Sequence, residues 1–321
     1  MARILVTGGK GIVGAALVRE LRSRGHDVVS CGRRHAADEM GYSLTNDVEN
    51  PTYSRCDVAD YRQLERVFTR FGPFDYVYHC AAEFGRWNGE DFHEALWRTN
   101  AIGTKNVIRL QEQHQFRLIH FSSSEVYGDW EGVMTESVMD THEVKQLNDY
   151  AMSKWVNEMQ IRNSHVQYGT ESVVVRLFNT YGPGEYYSVY RSVNCRFLFC
   201  ALRRVPWTVF RGHSRTSTYL SDTVRTAANI VDKFIQGETY NIGGSEIHTI
   251  EELSDIVLEV TGAPSSLVNF SDSEILTTKK KLVDTGKARR DLGHADTVSL
   301  REGLTRTAEW MRRAYELEDS M

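Results

Sequence analysis

Roughly the first 180 residues alternate short apolar segments with longer amphipathic segments. The short segments have the length and composition of strands, and the longer ones repeat apolar residues at helical spacing. The predicted strands are Arg3–Thr7, Asp27–Cys31, Thr52–Cys56, Asp75–His79, Arg117–Ser122 and Ser172–Phe178. The predicted helices between them are Ile12–Arg24, Tyr61–Phe71, Phe92–His114 and Tyr150–Tyr168. Strands that alternate with helices predict an α/β fold with a doubly wound parallel sheet, which places its chemistry at the carboxyl ends of the strands.

The alternation stops at Tyr181–Gly184, and the residues that follow are rich in arginine and aromatic side chains. Later segments predict further elements: helices over Ser221–Gln236, Ile250–Thr261 and Leu300–Tyr315, and a strand over Thr239–Ile242. We therefore predict two domains. A nucleotide-binding domain comprises residues 1–178 with about 218–243, and a smaller, discontinuous C-terminal lobe comprises about 179–217 with 244–321.

The composition is that of an ordinary globular protein, with 41% hydrophobic and 25% charged residues among 321. The net charge of −5 argues against a general nucleic-acid binder, which would be basic. No apolar run approaches the roughly 18 residues that a membrane span needs, and the amino terminus lacks the apolar core of a signal peptide. The five cysteines show neither CxxC nor metal-ligand spacing. We expect a cytoplasmic protein with no bound metal and with neither a nucleic acid nor a membrane as its partner.

A glycine-rich turn, TGGKGIVG, follows the first predicted strand and opens the first predicted helix. Such a turn lets the backbone approach a pyrophosphate closely and points a helix N-terminus at it. The turn therefore predicts dinucleotide binding by Gly8, Gly11, Ile12, Val13 and Gly14. A turn without a ligand is the alternative, and the strand–turn–helix context argues against it.

The end of the second predicted strand bears on the choice of cofactor. NAD sites usually carry Asp or Glu there to bind the ribose hydroxyls, whereas this chain has Gly32 followed by Arg33 and Arg34. Guanidinium groups match the charge and geometry of a 2′-phosphate. The pattern favours NADP over NAD, and the alternative is that both arginines are solvated loop residues.

A serine-rich strand end and a YxxxK segment form the third motif. Ser123 directly follows the fifth predicted strand, and Tyr150 and Lys154 lie four residues apart at the start of a helix, on one face. The ammonium group could lower the pKa of the phenol from its usual value of about 10. A phenolate could then take the proton of a substrate hydroxyl that Ser123 orients, while the same carbon loses a hydride to a nicotinamide.

With these motifs in place, the chain resembles the extended short-chain dehydrogenase/reductases that act on nucleotide sugars, the NAD-dependent epimerase/dehydratase family. The resemblance covers almost the whole length, in family order: TGGKGIVG, Asp57-Val58, His79–Ala82, Thr99-Asn100 with Gly103-Thr104, SSSEVYG, YAMSK, Arg176–Gly184, Arg215–Asp222, Tyr240–Gly244 and Asp284–Leu292. It implies a Rossmann-type sheet with a nucleotide-sugar-binding C-terminal lobe.

The resemblance also implies roles for individual residues. Ser123, Tyr150 and Lys154 would form the catalytic trio, with Glu125 beside them. Further cofactor contacts would come from Asp57 at the adenine, Val58, Ala81, Tyr150 and Lys154. The sugar nucleotide would meet Asn179 and Arg215, with the latter at the diphosphate, and we expect Ser124 and Arg191 to contact it as well. A turn residue is the alternative for Asn179, and a surface charge is the alternative for Arg215.

Glu125 separates the possible reactions. The resemblance favours transient oxidation of the sugar at C4 by NAD(P), with 4-epimerisation as the first expectation. A glutamate at this position is common in 4,6-dehydratases and UDP-glucuronate decarboxylases, so either activity is the close alternative. An NADPH-consuming keto-sugar reductase is a further one, and a non-catalytic sensor of the same fold would not need the trio.

The predicted helices Phe92–His114 and Tyr150–Tyr168 correspond to family helices that pair across a dimer. Both carry apolar residues beyond one face, and symmetric pairing would bury them. We therefore expect a homodimer.

Overall fold

A computed structural model describes residues 1–34, 52–272 and 274–317. Its strands are β1 (Arg3–Thr7), β2 (Asp27–Gly32), β3 (Tyr53–Arg55), β4 (Tyr76–His79), β5 (Arg117–Ser123), β6 (Val133–Met134), β7 (Ser172–Leu177), β8 (Thr180–Tyr181), β9 (Trp207–Phe210), β10 (Ser214–Thr216), β11 (Thr218–Tyr219), β12 (Thr239–Ile242), β13 (Ile247–Thr249), β14 (Val268–Ser271) and β15 (Leu282–Val283). Its α-helices are α1 (Ile12–Ser23), α2 (Tyr61–Phe71), α3 (Arg86–Asp91), α4 (His93–Trp97), α5 (Gly103–His114), α6 (Val138–Thr141), α7 (Asp149–Tyr168), α8 (Val193–Leu202), α9 (Leu220–Ala228), α10 (Ile250–Thr261), α11 (Gly286–Leu292) and α12 (Leu300–Ala314).

Seven parallel strands form the central sheet, in the order β12-β7-β5-β4-β1-β2-β3. The strand order reverses at β1, which lies between β2 and β4. A crevice opens at such a reversal, beyond the carboxyl ends of the strands. The predicted α/β class and the Rossmann-type sheet are confirmed.

Apolar residues of the sheet alternate between two cores. In β1, Ile4 and Val6 pack on the side of α1 and α9, whereas Leu5 packs on the side of α2 and α5. A third apolar cluster joins α8, α10 and α12, and it includes Leu198, Leu253 and Leu304. The division into two domains with boundaries near residues 178, 218 and 243 stays a prediction.

Most predicted elements appear with ends shifted by no more than a residue or two, and β1, α2, β12 and α10 match the prediction. The predicted helix Phe92–His114 instead divides into α4, a π-helical segment Arg98–Ile102, and α5. In that segment the side chain of Asn100 bonds both to Glu83 and to Ser153 Oγ, at 2.8–3.0 Å. Short π-helical segments are often found at functional sites. The predicted helix Ser221–Gln236 ends early, at Ala228, and continues as a 3-10 turn.

Candidate active site

A cleft with a volume of about 600 Å³ opens at the carboxyl ends of β1, β2, β4 and β5. Every site residue predicted from the sequence lines it. The predicted cofactor residues in its wall are Gly8, Gly11, Ile12, Val13, Gly14, Arg33, Arg34, Asp57, Val58 and Ala81. The predicted catalytic and substrate residues in its wall are Ser123, Ser124, Glu125, Tyr150, Lys154, Asn179, Arg191 and Arg215.

The glycine turn is packed too tightly for side chains. A Cβ on Gly8 would lie 2.7 Å from the backbone nitrogen of Ala81, and the φ of Gly8 is +69°. A Cβ on Gly14 would lie 2.3 Å from the carbonyl oxygen of Gly8. Helix α1 begins directly after Gly11, so its N-terminal amides face the cleft. This is the close backbone approach that a dinucleotide pyrophosphate requires.

The turn after β2 is basic but partly neutralised. Arg33 forms an ion pair with Glu83, which follows β4. The Tyr53 hydroxyl donates to the carbonyl oxygens of Gly32 (3.0 Å) and Arg34 (2.6 Å), which fixes the turn. A Cβ on Gly32 would make an ordinary contact at 3.4 Å from that hydroxyl, so lack of space does not explain the missing acidic residue.

Asp57 is positioned by its own loop. Its Oδ1 accepts a hydrogen bond from the amide of Ala59 (3.0 Å), and its amide donates to Gln63 Oε1 (3.0 Å). The neighbouring Val58 is held by Asn106, which donates to its carbonyl oxygen at 2.9 Å. Both residues therefore have fixed positions at the end of the cleft that lies beside β3.

The catalytic trio predicted from the sequence comes together at the end of β5. Ser123 is the last residue of that strand, and its Oγ accepts a hydrogen bond from the amide of Glu125 (3.2 Å). Tyr150 lies in the first turn of α7, which Asn148 caps by accepting from the amide of Ala151 at 2.8 Å. The Ser123 and Tyr150 side chains lie close enough for the Ser123 hydroxyl to lower the pKa of the phenol.

The pKa of Tyr150 differs from the expectation of a lowered value. Burial raises it to about 12, the Ser123 hydrogen bond lowers it and the Glu125 charge raises it further. The Lys154 ammonium lies 5.9 Å from the centre of the Tyr150 ring and donates to the carbonyl oxygen of Phe121 at 2.8 Å. Burial lowers the pKa of Lys154 to about 8. The shared helix face is as predicted, but the ammonium is bound to the strand rather than to the phenol oxygen.

Glu125 is paired with a residue that sequence reasoning missed. Its carboxylate forms an ion pair with Lys281, whose side chain is 1% exposed. Burial raises the pKa of Glu125, but the charges of Lys281, Arg86 and Arg215 together hold it at about 2. Burial lowers the pKa of Lys281 to about 8. The cleft therefore holds an ionised carboxylate and a buried ammonium side by side, next to Ser123.

Two arginines add positive charge at the same end of the cleft. Arg86 pairs with Glu274 at 2.9 Å. Arg215 donates to the carbonyl oxygens of Ser214 and Lys279, each at 2.8 Å, and burial lowers its pKa to about 10. A site with more fixed cations than carboxylates attracts an anionic ligand.

Two more predicted substrate residues line this end of the cleft. The Arg191 guanidinium stacks 4.1 Å from the centre of the Phe84 ring. The Asn179 side chain donates to the carbonyl oxygen of Thr216 (2.8 Å), and its backbone has a φ of +43°. The structure therefore brings both into the cleft, with Asn179 already engaged in a turn.

A buried network lies next to the predicted catalytic residues. Arg176 on β7 donates to both carboxylate oxygens of Glu158 on α7, at 3.1 and 2.7 Å, and to the Tyr127 hydroxyl at 2.9 Å. Ser122 Oγ donates to the same carboxylate at 2.6 Å. The network ties the helix that carries Tyr150 to the strand and turn that carry Ser123 and Glu125.

The residues missed from the sequence share one property: their partners are distant in the chain. Lys281 lies in a run of three lysines, which is typical of a solvated surface, yet it reaches Glu125 across 156 positions. Glu274 meets Arg86 across 188 positions. Of these residues, only Glu83 could have been found from the sequence, because it directly follows the His79–Ala82 motif.

Across residues 1–34, 52–272 and 274–317, no group of His, Cys, Asp and Glu side chains is arranged to hold a metal ion. Within the same ranges, no helix has the length and apolar character to cross a bilayer.

Comparisons with known proteins agree with this geometry. The sequence pattern of the NAD dependent epimerase/dehydratase family matches residues 4–243. The dTDP-glucose 4,6-dehydratase of Neisseria meningitidis is 29% identical over 97% of this chain and 93% of its own length. UDP-glucuronic acid decarboxylase 1 of Arabidopsis thaliana is 29% identical over 99% of this chain and 71% of its own. The crystal structure of a UDP-glucose 4-epimerase with UDP-glucose from Thermotoga maritima superposes with a TM-score of 0.87 at 26% identity, covering 98% of this chain and 99% of that one.

Proposed function

The chain belongs to the NAD dependent epimerase/dehydratase family, and we propose that it dehydrates a nucleotide sugar after transient oxidation at C4. The proposal rests on one observation, the ion pair of the partly buried Glu125 with the buried Lys281 beside Ser123 and Tyr150. The 4-epimerase expected from the sequence is retained as a second candidate.

The glycine turn and the first turn of α1 would hold the dinucleotide, with Asp57 and Ala81 along it. A dinucleotide held by these residues would supply a nicotinamide that can take a hydride from C4 of the sugar and return it to the sugar. Ser123 would orient the C4 hydroxyl, and Tyr150 would take its proton. Because Lys154 and Tyr150 lie on one buried helix face, the charge that develops on the phenol oxygen meets a nearby cation.

The Glu125–Lys281 pair favours a step beyond oxidation. Taking two charges out of water is expensive, and an ion pair of this kind adds little stability. Its position in the wall of the cleft suggests a chemical role, since a 4-ketone acidifies the proton on C5 and a carboxylate can remove it. The 4,6-dehydratase of N. meningitidis and the A. thaliana decarboxylase are relatives at the same identity, and both names imply chemistry beyond C4.

The second candidate, 4-epimerisation, has its own support. A carboxylate with a pKa of about 2 is a weak base. Inversion at C4 needs only reorientation of the keto sugar, with no carboxylate involved. The similar fold of the T. maritima UDP-glucose 4-epimerase is compatible with this reaction.

Glu125→Gln separates the two candidates, because the amide keeps the shape of the side chain but cannot accept a proton. For a dehydratase we expect product formation to fall by about 10²-fold or more, while the bound cofactor is still reduced. The substrates to test are glucose esters of four nucleoside diphosphates: those of uridine, deoxythymidine, cytidine and guanosine. NMR identifies the products, and absorbance follows the redox state of the cofactor.

Glu259→Gln is the matched control, because Glu259 is an exposed carboxylate whose ion pair with Arg301 lies outside the cleft lining. This control should behave as the unmodified protein does. If Glu125→Gln retains most activity and the product is the C4 epimer, the dehydratase proposal is wrong and the epimerase takes its place.

We further propose that NADP binds more tightly than NAD, since the turn after β2 has arginines where an acidic residue would bind the ribose. Arg33→Ala should weaken NADP binding by about tenfold or more, the effect of losing one charge-assisted hydrogen bond, and should affect NAD less. Calorimetry with both cofactors measures this, with Arg66→Ala on the exposed side of α2 as the charge-matched control. Tighter NAD binding that Arg33→Ala leaves unchanged would refute it.

We also propose that the protein is a homodimer. Exposed apolar side chains occur on and beside the helices expected to pair, among them Phe92, Ile102, Met159 and Val166. A symmetric contact would remove these from water. Light scattering at micromolar concentration should give twice the chain mass of 36.7 kDa, and a monomeric mass would exclude the dimer.

A further inference from the structure

Lys281 lies in the cleft wall, and the chain segment that carries it is fixed by contacts before and after this residue. Its backbone amide donates to the carbonyl oxygen of Ser214 at 3.1 Å. The next two residues form β15, which pairs with β6, and three residues earlier the Thr278 hydroxyl bonds to the carbonyl oxygen of Gly128. The Lys281 backbone is therefore fixed beside β10, which carries Arg215, and its ammonium group pairs with Glu125.

Elimination of water next to a 4-ketone needs two groups from the protein. A base removes the proton on C5, and an acid protonates the hydroxyl that leaves from C6, because free hydroxide is a poor leaving group. Glu125 is available as the base. Ser124, which precedes Glu125 and also lines the cleft, carries no readily ionisable group and therefore cannot be this acid. The acid must come from elsewhere in the cleft.

Four other groups in the cleft wall that carry donatable protons are less suited to this task. Tyr150 is occupied at C4 in the proposed reaction, and Lys154 donates to the carbonyl oxygen of Phe121. Arg86 is paired with Glu274, and Arg215 donates to the carbonyl oxygens of Ser214 and Lys279. Lys281 is buried, lines the cleft and touches the base directly.

Building on the proposed dehydration, we infer that Lys281 is the general acid that protonates the departing C6 hydroxyl while Glu125 removes the C5 proton. The C5–H bond breaks and its proton goes to Glu125, and its electron pair forms the C5–C6 double bond. The C6–O bond breaks, and the oxygen takes a proton from the Lys281 ammonium and leaves as water. Solvent then returns a proton to the Lys281 amine.

The pairing of the two side chains gives this arrangement a physical basis. Burial lowers the pKa of Lys281 to about 8, which places the ammonium close to the range in which an acid transfers its proton efficiently. Glu125 opposes that shift, whereas the positive charges of Arg215 and Arg86 add to it. When Glu125 accepts the C5 proton its charge disappears, and Lys281 becomes a stronger acid at the moment when the hydroxyl leaves.

The test compares hexose substrates that carry hydroxyl or fluoride at C6. Fluoride departs without needing a full proton, so its loss depends less on an acid. Lys281→Met should reduce dehydration of the hydroxyl substrate by about 10²-fold or more but should release fluoride within about tenfold of the unmodified rate. In D₂O the same variant should still exchange the C5 proton, since Glu125 remains. A structural defect would reduce all three rates together.

The pH dependence of the unmodified protein gives an independent measurement in case Lys281→Met does not fold. As pH rises through about 8, Lys281 loses its proton, so the ratio of fluoride release to dehydration should increase. Tyr150 and Lys154 also titrate, but they act before elimination and affect both substrates alike.

Equal losses on both substrates in Lys281→Met, or a ratio that does not change with pH, would overturn the role of Lys281. If the unmodified protein neither dehydrates the hydroxyl substrate nor releases fluoride, the proposed dehydration itself is wrong, and the role of Lys281 falls with it.

Discussion

Tyr150→Phe should lose about 10²- to 10⁴-fold in turnover, the range for removing a general base, while the dinucleotide still binds. The phenol oxygen is the only part removed, and it is the group whose pKa the neighbouring Ser123 hydroxyl lowers. Without it, the C4 hydroxyl has no group to take its proton, so oxidation at C4 would leave an unstabilised charge in a closed site. Steady-state kinetics give the turnover, and calorimetry gives cofactor binding.

Tyr168→Phe is the matched control for this change. It removes the same atom from the last, exposed residue of the same helix, so it should leave turnover unchanged. Removal of a general base costs at least about 10²-fold in rate. If Tyr150→Phe kept more than about a tenth of the activity, Tyr150 would therefore not be the base at C4.

Arg176→Met should lower the free energy of unfolding by about 3–5 kcal/mol, the usual effect of breaking a buried ion pair. Arg176 and Glu158 are 0% and 1% exposed, so the carboxylate would be left in the interior without its guanidinium partner. The Tyr127 hydroxyl and the carbonyl oxygen of Glu136 would lose a donor as well. Urea unfolding followed by circular dichroism measures the change.

Arg301→Met provides the comparison, because its ion pair with Glu259 is more than half exposed on both sides. Exposed pairs contribute about 0–1 kcal/mol, so this variant should unfold close to the unmodified midpoint. The double variant Arg176→Met with Glu158→Gln should recover part of the loss, since no charge is then buried alone. Equal effects of the two arginine substitutions would show that burial of the pair is unimportant.

The fold was predictable because its signals are local. The strand β1, the turn through Gly8 to Gly14 and helix α1 follow one another within 23 residues, and their apolar spacing and glycines carry the information. The family was predictable for a related reason, since its motifs are short runs such as SSSEVYG and YAMSK. These runs bring Ser123, Tyr150 and Lys154 into one cleft, as the spacing indicated.

The ionisation of the site was not predictable in the same way. The pKa of Tyr150 is raised rather than lowered, because burial outweighs the effect of the Ser123 hydroxyl. The pKa of Glu125 is set by Lys281, Arg86 and Arg215, which come from three separate parts of the chain. Contacts of this kind arise only when the tertiary structure forms, and the lysine run around Lys281 resembles a solvated surface.

The fate of a deuterium label at C4 of the sugar tests the central claim most directly. The nucleotide sugar that the protein converts would be labelled at C4, and the product would be examined by NMR and mass spectrometry. Transient oxidation at C4 predicts that the label stays in the product, at C6 after dehydration or at C4 after epimerisation, with no net change in the cofactor. A label lost to water, or one equivalent of NADPH consumed per product, would contradict the account.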